Sequence, residues 1–137
     1  IGAGGAARAA VWALRREQAN VTLFARAPIK ARSMSENFQV QCEELASASF
    51  AGYDVVINAT PACPATAEQL AGAGLVYDLI YNPIETGFLQ EGRAAGCETL
   101  GGLKMLVAQA RLQFELWTGQ TPPADVMHHA AAAALRP

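Results

Sequence analysis

At 137 residues, 52% of them apolar and 16% charged, the chain has the composition of one globular domain with its own core, not of a disordered tail. A formal net charge of −2 with no basic run offers nucleic acid no footprint, and no apolar stretch approaches the roughly 20 residues of a membrane span, so neither partner is expected. Cys42, Cys63 and Cys97 are odd in number and lack metal-ligand or C-x-x-C spacing, and the start of the chain shows no secretory pattern; buried, reduced thiols in a cytoplasmic protein are the expectation.

Gly4 to Arg16 reads as an Ala-rich helix. "NVTLFARA" follows as a short buried strand, and Pro28 opens a weak, polar helical stretch through "IKARSMSE". "NFQVQC" alternates as a strand does, and "YDVVINATP" supplies a β-branched strand stopped by Pro61. "GLVYDLIYNP" repeats that form. Thr86 caps a helix that runs to Ala95, with Gly96 at C′, and "CETL" makes a last short strand. Leu103, Leu106, Val107, Ala110, Phe114 and Trp117 fall on one face of a helix ended by Gly119, and Ala124 to Leu135 forms a final helix. Strands alternating with helices predict an α/β fold, a Rossmann-like doubly wound parallel sheet with helices on both faces.

"GAGGAA" has the G-x-G-x-x-G/A form of a dinucleotide fingerprint through Gly2, Gly4 and Ala7. Gly2 permits the tight turn, Gly4 lets backbone approach a pyrophosphate, and Ala7 lets helix and strand pack closely. By itself the pattern fits a plain strand-to-helix turn equally well. In such a unit a strand of several apolar residues leads into the glycine turn, and only Ile1 stands there. A longer polypeptide cut within its first nucleotide-binding strand is expected.

About 20 residues beyond the fingerprint, an NAD-binding unit places an acid on the ribose hydroxyls. Here the second strand ends at Arg26, with Lys30 and Arg32 close behind and no acid adjacent. Arginine suits a 2′-phosphate, which points to NADP, although three basic residues at a helix start also fit solvated surface. Asn58, Thr60 and Pro61 end a strand where the cofactor crevice of a parallel sheet lies; a polar strand exit with a Pro stop reads almost as well. Tyr81 lies past another strand end, and Asp78, inside an apolar run, reads as structural. Gln109 borders a packed helix face as a satisfied amide or a substrate contact. His128 and His129 diverge by about 100° on a helix and do not chelate one metal, so no metal site is expected.

"GAGGAARAA", "DVVINATP", "VYDLIYNPIETGFL" and "GGLKMLVAQARLQFELWTGQTP" together resemble the C-terminal, NADP-binding part of the shikimate dehydrogenase family, in order and over nearly the whole chain. The resemblance maps the cofactor loop onto Gly2, Ala3, Gly4, Gly5 and Ala6. The usual Asn-Arg-Thr at the 2′-phosphate becomes Ala25-Arg26-Ala27, which keeps the arginine and loses both polar neighbours. Contacts at the nicotinamide end fall on Leu79, Gly102 and Met105, where Leu79 and Gly101 replace the Met and Asn frequent in the family. The substrate-contacting tyrosine and glutamine fall on Tyr81 and Gln109.

The resemblance implies NADPH-dependent reduction of 3-dehydroshikimate to shikimate, in aromatic amino-acid synthesis. It divides the chain into a cofactor domain over 1–101, lacking its first strand, and C-terminal helices over 102–137 packing back toward the substrate cleft. A Lys–Asp pair handles the proton and belongs to an N-terminal catalytic domain of the same polypeptide, absent here, so these residues alone are expected to be inactive. A non-catalytic NADP-binding sensor, a paralogue acting on quinate or another substrate, and a homodimer stay open.

Overall fold

The computed structural model describes residues 1–135. Helix α1 spans Gly5–Arg16 and strand β1 Thr22–Ala25, followed by α2 (Pro28–Phe38) and β2 (Gln41–Glu44). Next come β3 (Val55–Asn58), α3 (Ala67–Leu70), β4 (Leu75–Asp78), α4 (Gly87–Ala94) and β5 (Glu98–Leu100). Two longer helices, α5 (Leu103–Thr118) and α6 (Ala124–Ala134), follow.

All strand pairs are parallel, as the alternation of strands and helices predicts. β1 pairs with β2, Thr22 opposite Gln41, while β3, β4 and β5 form a second ladder with Asn58 opposite Asp78 and Tyr77 opposite Leu100. The first two residues join the ladders. The Ile1 nitrogen donates to the Ile57 carbonyl at 2.6 Å, the Ala59 N–H donates to the Ile1 carbonyl at 2.9 Å, and the Gly2 N–H donates to the Phe24 carbonyl at 2.9 Å. The spatial order is therefore β2, β1, Ile1–Gly2, β3, β4, β5, and the fold is Rossmann-like α/β.

Alternation along β1 divides the core. Leu23 and Ala25 face Ala7 and Val11 of α1 and Ala31 and Met34 of α2, whereas Phe24 faces Phe50, Val56, Leu70, Val76 and Phe88. One helix pair thus covers each face of the sheet. Phe88 is completely buried, and its replacement by Ala would cost about 3–5 kcal/mol through the cavity left behind. α4 approaches the sheet closely because Gly92 carries no side chain: a Cβ there would lie 2.9 Å from Val76.

Three local expectations are corrected. "NFQVQC" is not one strand: Asn37 and Phe38 complete α2, Gln39 turns left-handed at φ 52°, and pairing begins at Gln41. The strand predicted to run toward Pro83 ends at Asp78, where the Asp78 carboxylate captures the Ile80 N–H and turns the chain. Of the cysteines, only Cys97 is buried; Cys42 is half-buried and Cys63 exposed, and all three are free thiols.

Candidate functional site

In a parallel sheet the carboxyl ends of all strands share one edge, and the glycine turn lies there with the exits of β1, β3 and β4. Gly2 has φ 112°, and a Cβ on it would lie 2.9 Å from Thr60 Cγ2 and 3.2 Å from the Ala59 carbonyl. Both its backbone angle and this contact require glycine, and both bring the turn against the β3 exit. Gly4 is the N-cap of α1 in extended conformation, with no side chain capping the helix and no acid in its first turn. A Cβ on Gly4 would meet nothing within 4 Å. Ala3, Gly5 and Ala6 are also exposed. The free N–H groups of α1 therefore open onto clear space, the arrangement that suits an anion.

Arg26 is exposed immediately past β1, and Lys30 is exposed in the first turn of α2. Arg32 pairs with Glu36 at 2.8 Å, but among the described residues neither Arg26 nor Lys30 has a salt-bridge partner. α2 likewise has no side-chain cap and no acid in its first turn. Two cations beside a helix N-terminus are unfavourable until an anion arrives.

The exits of β3 and β4 are tied together by a buried polar network. Asn58 donates to Asp78 Oδ1 at 3.0 Å and to the Ala62 carbonyl at 2.9 Å, and its own Oδ1 accepts from the Thr60 N–H at 2.9 Å and the Thr60 hydroxyl at 2.7 Å. Asp78 Oδ2 accepts from the Thr86 hydroxyl at 2.7 Å, and that hydroxyl caps α4 by accepting from the Leu89 N–H at 3.2 Å. Asn58 is fully buried, so it does not line a crevice as expected; it holds the loop that does, from beneath. Thr60 is half-buried and Pro61 exposed. Asp78 is structural, as its apolar setting implied. Beyond this network a cleft of about 340 Å³ opens between the loops, lined by Pro61, Cys63, Ile80, Pro83 and Thr86 among others. Burial pushes the Cys63 thiol up, against a backbone hydrogen bond at Ala65, with the Glu91 and Asp78 charges adding to the rise.

Leu79 and Gly102 meet. A Cβ on Gly102 would lie 2.3 Å from the Leu79 carbonyl oxygen, and the Gly102 N–H donates to the Ile80 carbonyl at 3.1 Å. This seats the start of α5 on the β4 exit, with Met105 half-buried in its first turn. Tyr81 is 43% exposed past that exit, and Gln109 is exposed rather than bordering a packed face. The apolar stripe of α5 is only partly covered: Val107 alone of the helix is fully buried, Leu103, Leu106 and Ala110 are half-buried, and Phe114 and Trp117 are 37% and 77% exposed. His129 Nδ1 lies 2.7 Å from the Asp125 carbonyl, and the described residues contain no cluster able to hold a metal.

Two contributors escaped the sequence reading. Thr86 was recognisable as a helix cap, but its bond to Asp78 depends on a contact across the fold. α3 escaped because it spans four residues, although "TAEQ" spells the capping box that Thr66 and Gln69 form.

A model of the family described as Shikimate 5'-dehydrogenase C-terminal domain matches residues 102–132. Shikimate dehydrogenase (NADP(+)) of Methanocella arvoryzae is 41% identical, over 98% of this chain and 55% of that protein. The crystal structure of shikimate 5-dehydrogenase from Thermus thermophilus, in complex with NADP(H) and shikimate, matches with a TM-score of 0.89 at 38% identity, covering 98% of this chain and 53% of that one. Quinate dehydrogenase from Corynebacterium glutamicum, in complex with NAD, matches with a TM-score of 0.86 at 28% identity over 98% and 53%. The chain spans about half the length of the curated relatives it matches. Similarity in sequence and fold runs along nearly the whole chain and, together with the matched terminal segment, is consistent with a C-terminal fragment of the shikimate dehydrogenase family.

Proposed function

We propose that these residues form the NADP-binding portion of a shikimate dehydrogenase that interconverts 3-dehydroshikimate and shikimate in aromatic amino-acid synthesis. The observation carrying this reading is the pairing of two features on one sheet edge: the uncapped, glycine-started N-terminus of α1, and Arg26 without a salt-bridge partner among the described residues. The first fits a pyrophosphate and the second a 2′-phosphate. Residues 1–101 would hold the cofactor, and 102–137 would pack toward the substrate cleft of an N-terminal domain in the same polypeptide. The three free thiols fit a cytoplasmic protein.

When bound, the nicotinamide supplies the hydride for the ketone carbon. The residues described here bind and orient. Gly2, Ala3, Gly4, Gly5 and Ala6 let backbone N–H groups reach the pyrophosphate, and Arg26 with Lys30 answers the 2′-phosphate. Asn58 and Asp78 hold Thr60 and Pro61 in place along the crevice. The seat made by Leu79, Gly102 and Met105 fixes the nicotinamide end, while Tyr81 and Gln109 offer one edge of a substrate site. Proton transfer to the developing alkoxide falls to a Lys–Asp pair in the N-terminal domain, so this chain alone would show no turnover.

Titration of the chain with NADPH and NADH by calorimetry tests the reading; tighter NADPH binding is expected, and equal affinities would overturn the 2′-phosphate assignment. A second reading, an NAD- or quinate-preferring paralogue, draws on Ala25 and Ala27. Ala25 is buried and Ala27 is the N-cap of α2, so neither gives Arg26 a polar neighbour. Turnover of shikimate against quinate in the full-length protein separates the two.

A further inference from the structure

Helix α1 carries three arginines and no acid. Two of the three are engaged. Arg16 stacks over the Trp12 ring at 4.8 Å, and Arg15 Nη1 donates to the Ala19 carbonyl at 3.4 Å. Arg8 is exposed in the first turn, and among the described residues it has no salt-bridge partner. A cation there is opposed by the helix dipole unless an anion sits beside it.

Packing fixes the direction in which Arg8 lies. Ala7 and Val11 share a core with Ala31 and Met34 of α2, whereas half-buried Ala10 and Leu14 stay outside that core. Turning around α1 from Ala10 through Ala7 to Val11 therefore turns toward α2, and at about 100° per residue Arg8 lies about 60° further on in the same sense. Helical side chains also lean toward the N-terminus of their own helix, which brings Arg8 back to the level of Gly4 and Gly5. α2 starts at the same edge, because Gly2 bonds to Phe24 and the two helices begin shortly after, at Gly5 and Pro28. Packed helices stand about 8–10 Å apart, a gap that a long side chain spans. Arg8 thus looks across the groove toward Arg26 and Lys30.

The start of α2 is poor in donors. Pro28, its first residue, has no N–H, and the Lys30 N–H is already given to the Ala27 carbonyl at 3.0 Å. Ala25 is buried, and Ala27 ends in a methyl group. A phosphate presents three strong acceptor oxygens, and a planar arginine fork from a second element supplies the donors that this end of α2 lacks. We propose that Arg8 is a second arginine of the 2′-phosphate site, gripping from α1 while Arg26 and Lys30 grip from the β1 exit and α2. On the NADP reading, on which this rests, selection for the 2′-phosphate then depends on both helices, held in register by the core of Ala7, Val11, Ala31 and Met34. Without nucleotide the three cations repel one another; the phosphate offsets that repulsion, and a bare ribose hydroxyl does not.

Two nucleotides that differ only in that group, adenosine 2′,5′-bisphosphate and adenosine 5′-monophosphate, are titrated calorimetrically against the chain and three variants. Arg8→Gln is expected to weaken the bisphosphate by about tenfold or more and to leave the monophosphate unchanged. Arg8→Lys should recover part of the loss, and Arg15→Gln, on the same flank about two turns away, should lose nothing. An unchanged Arg8→Gln would overturn the proposal. So would equal losses for both nucleotides, which would put Arg8 on the 5′-phosphate, or an equal loss in Arg15→Gln, which would reveal only a general positive field. Thermal melts without nucleotide are expected to coincide for all four proteins; a lower Tm in Arg8→Gln would make Arg8 a structural residue and overturn its assignment to the phosphate. If the parent itself did not distinguish the two nucleotides, the NADP reading would fall and the role of Arg8 with it. A parent that distinguishes them beside an indifferent Arg8→Gln would leave the NADP reading standing and remove Arg8 alone.

Discussion

The side-chain amide of Asn58 donates to Asp78 Oδ1 at 3.0 Å across two adjacent parallel strands, with both residues completely buried. Every remaining polar atom of the pair is also engaged: Asn58 with Thr60 and Ala62, Asp78 with Ile80 and Thr86. Asp78→Ala would strand three donors in the interior. Hydrogen bonds to charged groups contribute about 1.5–3 kcal/mol each and do not add, so a loss of about 3 kcal/mol is expected in urea melts. Asn58→Ala should cost somewhat less and also weaken NADPH binding, because Thr60 loses the partner that sets its loop. A variant as stable as the parent would show the network to be incidental.

Arg26→Ala should weaken NADPH binding by about 10- to 150-fold, equivalent to about 1.5–3 kcal/mol, and leave NADH binding almost unchanged. Because Arg26 is exposed and has no salt-bridge partner among the described residues, stability should not move. Calorimetric titration of both cofactors against both proteins is the measurement; a parallel loss for NADH would place Arg26 elsewhere than on the 2′-phosphate.

Gly4 and Gly102 should fail in opposite ways. Gly4→Val adds atoms to open space at an uncapped helix N-terminus, so far-ultraviolet circular dichroism should keep its helical signal while NADPH binding falls below detection. Gly102→Ala instead drives a methyl group into the Leu79 carbonyl and should cost about 1–3 kcal/mol of stability through overpacking. If Gly4→Val bound cofactor normally, the glycine turn would be structural only.

With a free amino group at Ile1, stability should depend on pH in a defined window. Burial lowers this group to about 6 from its ordinary 8.0. Between those values the unfolded chain binds more protons than the folded one, so stability rises with pH. Two pH units correspond to about 2.7 kcal/mol, missing below pH 6 and fully recovered above pH 8. Urea melts across pH 5.5–8.5 read the slope, and N-acetylation of Ile1 should flatten it. An unchanged slope after acetylation would assign it to another group.

Legibility in the sequence followed the range of the forces involved. α4 was readable to within a residue because its ends are set by local chemistry, Thr86 accepting from Leu89 and Gly96 turning at φ 78°. The end of α2 was not, since Gln39 adopts the left-handed conformation without being the glycine that usually announces it. For Asn58, residue type suggested a crevice and parity spoke against it: Asn58 lies two residues after buried Val56, and Asp78 two after buried Val76, which turns both inward. The stripe on α5 was correctly periodic, but periodicity names the apolar side of a helix without saying that anything covers it. Tyr81 stood out by its place past a strand end and Gln109 by the helix face it borders, but only the family motifs chose a substrate role for Gln109 over a satisfied amide.

Phe24 gives the molecule a seam. Its ring stands edge-on to Phe50 at 5.0 Å and to Tyr53 at 5.8 Å, while its neighbours Leu23 and Ala25 belong to the opposite core. Apart from that ring, the Ile1–Gly2 bonds to both ladders and Ala59 against the α1–α2 core, the chain from α1 to β2 and that from β3 to β5 each have their own ladder and their own pair of helices. Such units open separately when the contacts between them are few. Heat or denaturant should therefore part the protein along this aromatic seam before either half unravels, and Phe24→Leu should widen the gap between the two transitions.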